Sequence, residues 1–158
     1  MNQIASTNAI QYRPAPPRGF SLSSRAPVLL LVTDDTKLAD QVQQVSAFLD
    51  VEMIHLDTGT RLLPLLRSLN PMAIIAGLDA RSQDGFHVMK VIGTHDPSLP
   101  LLLLSEHDES MAGAVDAVEQ LWALNAVRRS SCLPGAGELI EFVCEAGRQG
   151  ECLGLMPV

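Results

Sequence analysis

The chain has 158 residues, a length that suits one domain rather than two. Apolar residues make up 47% of it and charged residues 18%, a balance that supports a buried core and excludes wholesale disorder. No apolar run approaches the roughly 18 residues of a membrane span, and the first 26 residues lack the apolar stretch of a secretory signal. The composition therefore predicts a cytoplasmic protein without membrane contact.

Charge is distributed unevenly along the chain. Residues 1–26 carry three arginines and no acid, so the net charge of −7 for the whole chain becomes −10 for the remainder. Nucleic-acid binding depends on cations that contact phosphates, and an acidic body repels a polyanion. We therefore expect no direct binding of nucleic acid. The odd number of cysteines, without metal-ligand spacing, predicts reduced thiols.

The composition of residues 1–26 predicts a disordered, proline-containing N-terminal tail, since this segment is poor in apolar residues and holds Pro14, Pro16 and Pro17. An alternative is a docking peptide for a partner, which Phe20 and the arginines favour. Residues 27–148 predict the folded domain. Residues 149–158 predict a C-terminal tail or a linker to an output domain.

From Pro27 onward, short apolar runs alternate with amphipathic stretches, which predicts strands and helices in turn. The first strand covers 28–33, and Asp35 or Thr36 caps the helix that follows. The second strand covers 51–56, and Thr58 is a candidate cap for a helix that Asn70-Pro71 ends. A third strand at 72–76 precedes a helix that begins at Asp84-Gly85.

The same alternation continues to the end of the domain. A fourth strand covers 101–104, a helix carries the periodic apolar residues from Met111 to Trp122, a short strand lies at 126–127, and a final helix contains Leu139 and Val143. Unbroken apolar strands joined by crossover helices predict an α/β fold with a five-stranded, doubly wound parallel sheet. Ligands of such folds bind at the carboxyl ends of the strands.

Over about residues 27–148 the sequence resembles a response-regulator receiver domain, with its flavodoxin-like fold. The resemblance is carried by Val32-Thr33-Asp34-Asp35, Pro71 to Gly77, Asp84-Gly85-Phe86 and Pro100 to Asp108. In that family an Asp at the end of the third strand accepts a phosphoryl group. Two acids after the first strand help to hold Mg²⁺, a Ser or Thr follows the fourth strand, and a Lys follows the fifth.

The acceptor position of the family falls on Gly77, both from its spacing to Pro71 and from its spacing to Asp84-Gly85. Glycine has no side chain, so no acyl phosphate forms there. A glycine at a strand end predicts either an unusual backbone conformation or another group packed closely against the backbone. Asp79 is a substitute acceptor only if the strand slips by two residues, and a solvated loop acid is the alternative. Arg81 is a candidate replacement for the missing metal.

The other positions of the family's pocket are kept in part. The paired acids fall on Thr33 and Asp34 in one register and on Asp34 and Asp35 in the other. Ser105 occupies the position of the switching hydroxyl. The lysine position falls on Arg128 or Arg129, which we expect to pair with Asp34, Asp79 or Glu106 since no phosphate engages them.

With one acid missing, too few hard oxygen ligands remain for tight Mg²⁺ binding, and no metal or other cofactor is expected. Neither a phosphate-binding loop nor a dinucleotide turn follows the first strand. Ser105, His107 and Asp108 lack the context of a hydrolase triad, so enzyme activity is not expected.

The sequence thus predicts a pseudo-receiver, a phosphorylation-independent binding or dimerisation module in bacterial signal transduction. Its partner is another protein or a second copy of the chain. The resemblance implies contact through the fourth helix, fifth strand and fifth helix, where Trp122, Leu124, Val127 and Leu133 are candidates; Trp122 in the core is the alternative. Two other functions remain open: phosphorylation of a substitute acid such as Asp79, and binding of a small ligand in the vacated pocket.

Overall fold

The computed structural model describes residues 27–57, 61–78, 84–105, 109–131 and 133–149. Five strands alternate with five helices along them. The strands are β1 (Val28–Val32), β2 (Glu52–Leu56), β3 (Ala73–Leu78), β4 (Leu101–Ser105) and β5 (Val127–Ser131). The helices are α1 (Thr36–Phe48), α2 (Leu62–Leu69), α3 (Asp84–His95), α4 (Glu109–Leu121) and α5 (Ala136–Gln149).

All five strands are parallel and follow the order β2-β1-β3-β4-β5. The chain moves outward in one direction from β1 to β2 and then crosses back to β3, so the strand order reverses between β1 and β3. This is the doubly wound, flavodoxin-like order, and it confirms the predicted fold class. The reversal point is also where such sheets bind ligands, at the carboxyl ends of their strands.

Helices cover both faces of the sheet because the central strands are apolar on both sides. Every residue of β1 is buried. Side chains such as Leu31 and Ile75 face α1 and α5, which contribute Val42 and Phe142 to that half of the core. The alternate residues of the strands face α2, α3 and α4. Burial on two faces explains why these strands appear in the sequence as unbroken apolar runs.

The helix boundaries have local causes. The carboxylate of Asp35 accepts hydrogen bonds from the backbone N–H groups of Lys37 and Leu38, so Asp35 is the N-cap of α1. Asn70 ends α2 in a left-handed conformation with φ of 51°, as Asn does at helix C-termini. The candidate cap Thr58 lies outside the described residues.

Two predicted strands end at least two residues too early. β3 continues to Leu78 rather than ending at Ala76, and β5 runs to Ser131 rather than stopping at Val127. An edge strand needs less apolar surface than a central one, so β5 can contain polar residues. Without an apolar run, the sequence does not show how long this strand is. This extension places Arg128 and Arg129 inside β5, whereas the sequence pattern places them after it.

Candidate functional site

The carboxyl ends of β1 and β3 lie side by side where the strand order reverses. Val32 pairs with Ala76 in the sheet register, so Thr33 and Gly77 are the next neighbours. Thr33 is 8% exposed, and its Oγ1 accepts a hydrogen bond of 3.1 Å from the backbone N–H of Asp35. The hydroxyl therefore closes the turn that leads from β1 into α1.

Gly77 has an ordinary backbone and an open side. Its φ lies outside the left-handed range, and among the described residues a Cβ placed on it would meet only Thr33 Oγ1, at 3.7 Å, which is normal van der Waals contact. The expectation of an unusual conformation or a close approach at Gly77 is therefore wrong. What the position lacks is a functional group, not space.

The two acids after β1 have different surroundings. Asp35 Oδ1 accepts from Lys37 N at 2.9 Å and from Leu38 N at 3.3 Å, which uses this carboxylate as a helix cap. Asp34 is exposed and follows the strand directly. Since Asp35 is engaged by the helix, the register that pairs Thr33 with Asp34 fits this edge better than the one that pairs the two acids.

His55 is a member of this edge that sequence analysis missed. Its Nε2 lies 2.7 Å from the backbone carbonyl oxygen of Thr33, from the neighbouring strand β2. The same nitrogen is 3.8 Å from Asp57 Oδ1. A single histidine in an edge strand carries no spacing signal, so only the pairing of β1 with β2 shows that it binds the end of β1.

Ser105 completes the row on the other side of β3. It is half-buried at the end of β4, and the register places it between Leu78 of β3 and Ser131 of β5. The register thus brings Ser105 to the same edge as Thr33 and Gly77. The other candidate of this pocket, Asp79, lies outside the described residues, as do Arg81 and Glu106.

Arg128 and Arg129 do not join this edge. Their register partners are Leu102 and Leu103, three and two residues before Ser105. The residue at the end of β5 beside Ser105 is Ser131, and the first proline after the strand follows Leu133. The expectation that the arginines follow the fifth strand is therefore wrong, since both lie within it.

The pairing predicted for the two arginines is also wrong. Arg128 bonds to Glu141 at 3.3 Å and to Glu145 at 3.2 Å, both on α5. Successive side chains of a strand point to opposite faces of the sheet.

Arg129 consequently points to the other face, where it bonds to Asp116 and Glu119 of α4. Burial by itself would lower the pKa of Arg129, but the hydrogen bonds that its guanidinium donates to the two carboxylates, together with their negative charge, outweigh burial and raise it. The arginines hold α4 and α5 to the two sides of the edge strand.

The carboxyl edge does not fit Mg²⁺ in the described part of the chain. Such an ion needs several carboxylate or carbonyl oxygens in octahedral geometry. Gly77 supplies no ligand and Asp35 caps a helix, which leaves Asp34 as the single uncommitted carboxylate directly after β1 or β3 among the described residues. Within the described residues, no three side chains of the His, Cys, Asp and Glu type come together as a metal site.

The four predicted interaction residues do not lie on one surface. Trp122, Leu124 and Val127 are half-buried, and Leu124 and Val127 pack against the core cluster under α2 to α4. Leu133 is 63% exposed but lies beyond the opposite end of β5. The most exposed large apolar side chains of the described residues are instead Phe48 of α1, at 76%, and Leu121 of α4, at 75%.

Comparison with solved structures identifies the class of fold. The chain is similar to a signal receiver domain from Vibrio parahaemolyticus, with 21% identity and a TM-score of 0.63 over 80% of this chain and 94% of that one. It is also similar to the chemotaxis response regulator CheY4 of Vibrio cholerae, at 16% identity and a TM-score of 0.62, covering 77% of this chain and 99% of the other.

A response regulator receiver protein from Sinorhizobium medicae is similar at 17% identity, with a TM-score of 0.62 over 78% of this chain and 96% of that one. No protein-family model and no curated protein sequence matches the chain. The chain thus has the fold of receiver domains. In the described part of the chain, no helix combines the length and the apolar character needed to cross a bilayer.

Proposed function

We propose that this chain is a receiver-fold signalling module that acts through protein contacts and carries out neither phosphoryl transfer nor any other enzyme reaction. One observation carries the proposal: at the point where strand order reverses, β3 presents Gly77 beside Thr33, with no carboxylate at that position. Receiver chemistry requires a carboxylate oxygen to form an acyl phosphate. The sheet supplies none at Gly77.

The remaining groups at this edge support the same conclusion. Thr33 and Asp35 are engaged in the turn and the cap that begin α1. The two arginines nearest the family's lysine position hold helices instead. Each group has therefore a structural use that does not depend on a phosphate.

The contact surface that we propose is formed by α4, β5 and α5. β5 is at the edge of the sheet, so one side of its backbone lacks a partner strand among the described residues. Leu121, at the end of α4, exposes 75% of its surface. An isologous dimer would place the same surface of two copies face to face, and a different protein with an apolar patch would use it in the same way.

Phosphorylation is tested with acetyl phosphate and Mg²⁺, followed by intact-mass measurement and a thermal-shift assay with beryllofluoride. We expect no mass increase and no Mg²⁺-dependent shift for the natural chain. The matched variant Gly77→Asp restores a carboxylate where a Cβ has room, and we expect Mg²⁺ to stabilise that variant alone. A receiver domain known to be phosphorylated shows that the reagents work.

A stoichiometric phosphoryl adduct on the natural chain would overturn the proposal. The substitution Asp79→Asn would then show whether Asp79 is the acceptor, because the adduct would disappear in that variant. An adduct that survives the substitution would be located by peptide mapping.

Self-association is tested by sedimentation over a range of protein concentrations. We expect Leu121→Glu to weaken the dimer and Phe48→Glu to leave it unchanged, since the two apolar side chains are almost equally exposed but lie on different helices. A chain that stays monomeric throughout would exclude the homodimer. Equal weakening by both variants would mean that contact is not specific to the α4 side.

A further inference from the structure

A cleft of about 350 Å³ opens at the amino ends of β4 and β5, at the opposite end of the sheet from Thr33 and Gly77. Its apolar lining comes from Pro100 and Val127, which are half-buried, and from Phe142 and Ala146, which are 4% and 2% exposed; Glu145 lies among them. The cleft is thus distant from the edge at Gly77, but residues of β5 and α5 line it, so it shares these two elements with the proposed contact surface.

Carboxylates outnumber cations around the cleft among the described residues: Glu145 lines it, and Glu141 and Asp96 bond to the lining residues Arg128 and Ser98. Arg128 lines it, but this one guanidinium is shared by two carboxylates, those of Glu141 and Glu145. Ser98 also lines it and donates from its N–H and Oγ to the carboxylate of Asp96, at 3.0 and 2.7 Å. An occupant with an apolar or aromatic group and a flanking cation would match both the walls and the charge.

Residues 1–26 have this composition. They carry Arg13, Arg18 and Arg25 with no acid, whereas the rest of the chain has a net charge of −10. Phe20 lies between two of the arginines. Opposite charge between a segment and the body that it is attached to favours contact between them.

The segment also joins the domain at the correct end. Pro27 precedes β1, and its carbonyl accepts a hydrogen bond of 2.9 Å from the N–H of Glu52. The register connects Leu30 to Val127 through β3 and β4, three strand spacings or about 14 Å. Since Pro27 is three residues before Leu30, the diagonal to Val127 is about 17 Å. The seven residues from Phe20 to Pro27 span up to about 23 Å, so Phe20 reaches the cleft.

We propose that this cleft is the docking site of segment 1–26 of the same chain, with the ring of Phe20 against Phe142 and the guanidinium of Arg18 toward Glu145. A tethered segment binds at an effective concentration in the millimolar range, so a modest intrinsic affinity suffices. Such docking would place an internal ligand beside α5 and β5.

The test uses the full chain with Phe20 replaced by the photoreactive residue p-benzoylphenylalanine. After irradiation, mass spectrometry should locate cross-links at 97–101, 125–128 or 142–146 in species of monomer mass. The matched control carries the same residue in place of Ile4 and should give no enrichment there. Cross-links elsewhere, or none above the control, would overturn the proposal, as would cross-links found only at dimer mass.

Charge reversal supplies a second criterion. Glu145→Lys should lower the yield of cleft cross-links about fivefold, the effect of losing one favourable contact. Glu138→Lys makes the same charge change at the other end of α5 and should leave the yield unchanged. Equal yields in both variants would contradict the assigned role of Glu145.

Hydrogen exchange measures docking in a chain that lacks the photoreactive residue. In the chain without that group, Phe20→Ser should speed exchange of the amides at 125–128, whereas Ile4→Ser should not. Identical exchange in the two variants would overturn the proposal independently of the cross-linking.

Discussion

Trp122 packs directly onto Gly93 of α3. A Cβ placed on Gly93 would lie 2.6 Å from the Cβ of Trp122 and 3.1 Å from its ring. The missing side chain is what allows the end of α4 to approach α3. Trp122 is therefore a half-buried packing residue, and it is not among the buried core residues of the described part of the chain.

We expect Gly93→Ala to destabilise the fold by about 1–2 kcal/mol, because overpacking against Trp122 exceeds the gain in helix propensity. Gly113→Ala is the matched control, since Gly113 lies in α4 and a methyl group added to it would meet no described residue beyond its own stretch of helix within 4 Å. It should stabilise by up to about 1 kcal/mol. Urea unfolding measures both; a change of the same sign in the two variants would contradict the packing argument.

Gly77 and Gly85 should respond oppositely to alanine. The methyl group added by Gly77→Ala makes only ordinary van der Waals contact. The substitution should raise the free energy of unfolding by about 0.5 kcal/mol, because alanine lowers the entropy of the unfolded chain. A Cβ at Gly85 would lie 2.8 Å from Leu78 Cδ1 and 3.1 Å from Leu103 Cδ1, so Gly85→Ala should lose about 1–3 kcal/mol. Thermal unfolding of the two variants side by side checks this. Loss of stability in Gly77→Ala would mean that glycine is required there for structural reasons.

Ser46 presents a buried hydroxyl without a partner among the described residues. It is 0% exposed, and its Oγ makes no hydrogen bond to them. A buried unsatisfied hydroxyl carries an uncompensated desolvation cost, so Ser46→Ala should raise the free energy of unfolding by about 1 kcal/mol. The exposed Ser68→Ala on α2 should change it by less than about 0.5 kcal/mol. Destabilisation by Ser46→Ala would show that the hydroxyl has a partner in solution.

The link between Arg129 and Glu119 is measurable as a coupling. A double-mutant cycle of Arg129→Ala and Glu119→Ala should give about 0.5–1 kcal/mol, the range for ion pairs near a surface. High salt should reduce that coupling. The parallel cycle for Arg128 and Glu145, in which both side chains are more than one-third exposed, should give a smaller value. No coupling in either cycle would mean that the arginines do not hold α4 and α5.

Acid stability should depend on Asp96. The hydrogen bonds from the hydroxyl and the N–H of Ser98 lower the pKa of this carboxyl, against the opposing effect of burial. A lowered folded-state pKa gives stability that is present above the unfolded pKa and lost as the pH falls through the folded one. The advantage of the natural chain over Asp96→Asn should therefore be constant near neutral pH and shrink below about pH 4.

The measurement is urea unfolding at several pH values between neutral and about pH 3, with Ser98→Ala as the companion variant. That substitution removes the hydroxyl donor and keeps the backbone donor, so it should reproduce part of the Asp96→Asn effect. A difference between the natural chain and Asp96→Asn that does not change with pH would contradict the assignment to ionisation.

The amino-acid sequence by itself determined the fold class and placed a glycine, Gly77, where the resemblance to receiver domains leads us to expect an acid. Both follow from local signals, namely apolar runs such as β1 and the spacing from Pro71 and Asp84 to a residue with no side chain. The cap at Asp35 is equally local, because it depends on backbone groups within three residues. Such features are encoded in neighbouring positions and need no knowledge of distant contacts.

Tertiary structure alone decided what the arginines, Trp122 and His55 do. Arg128 and Arg129 bind acids that are between 10 and 17 residues away, and the choice of partner depends on which face of β5 each side chain leaves. The end of α4 at Ala123, in a left-handed conformation with φ of 55°, has no glycine that would indicate it. Pairings of this kind are set by sheet register and helix packing, and both arise only when the chain has closed around its core.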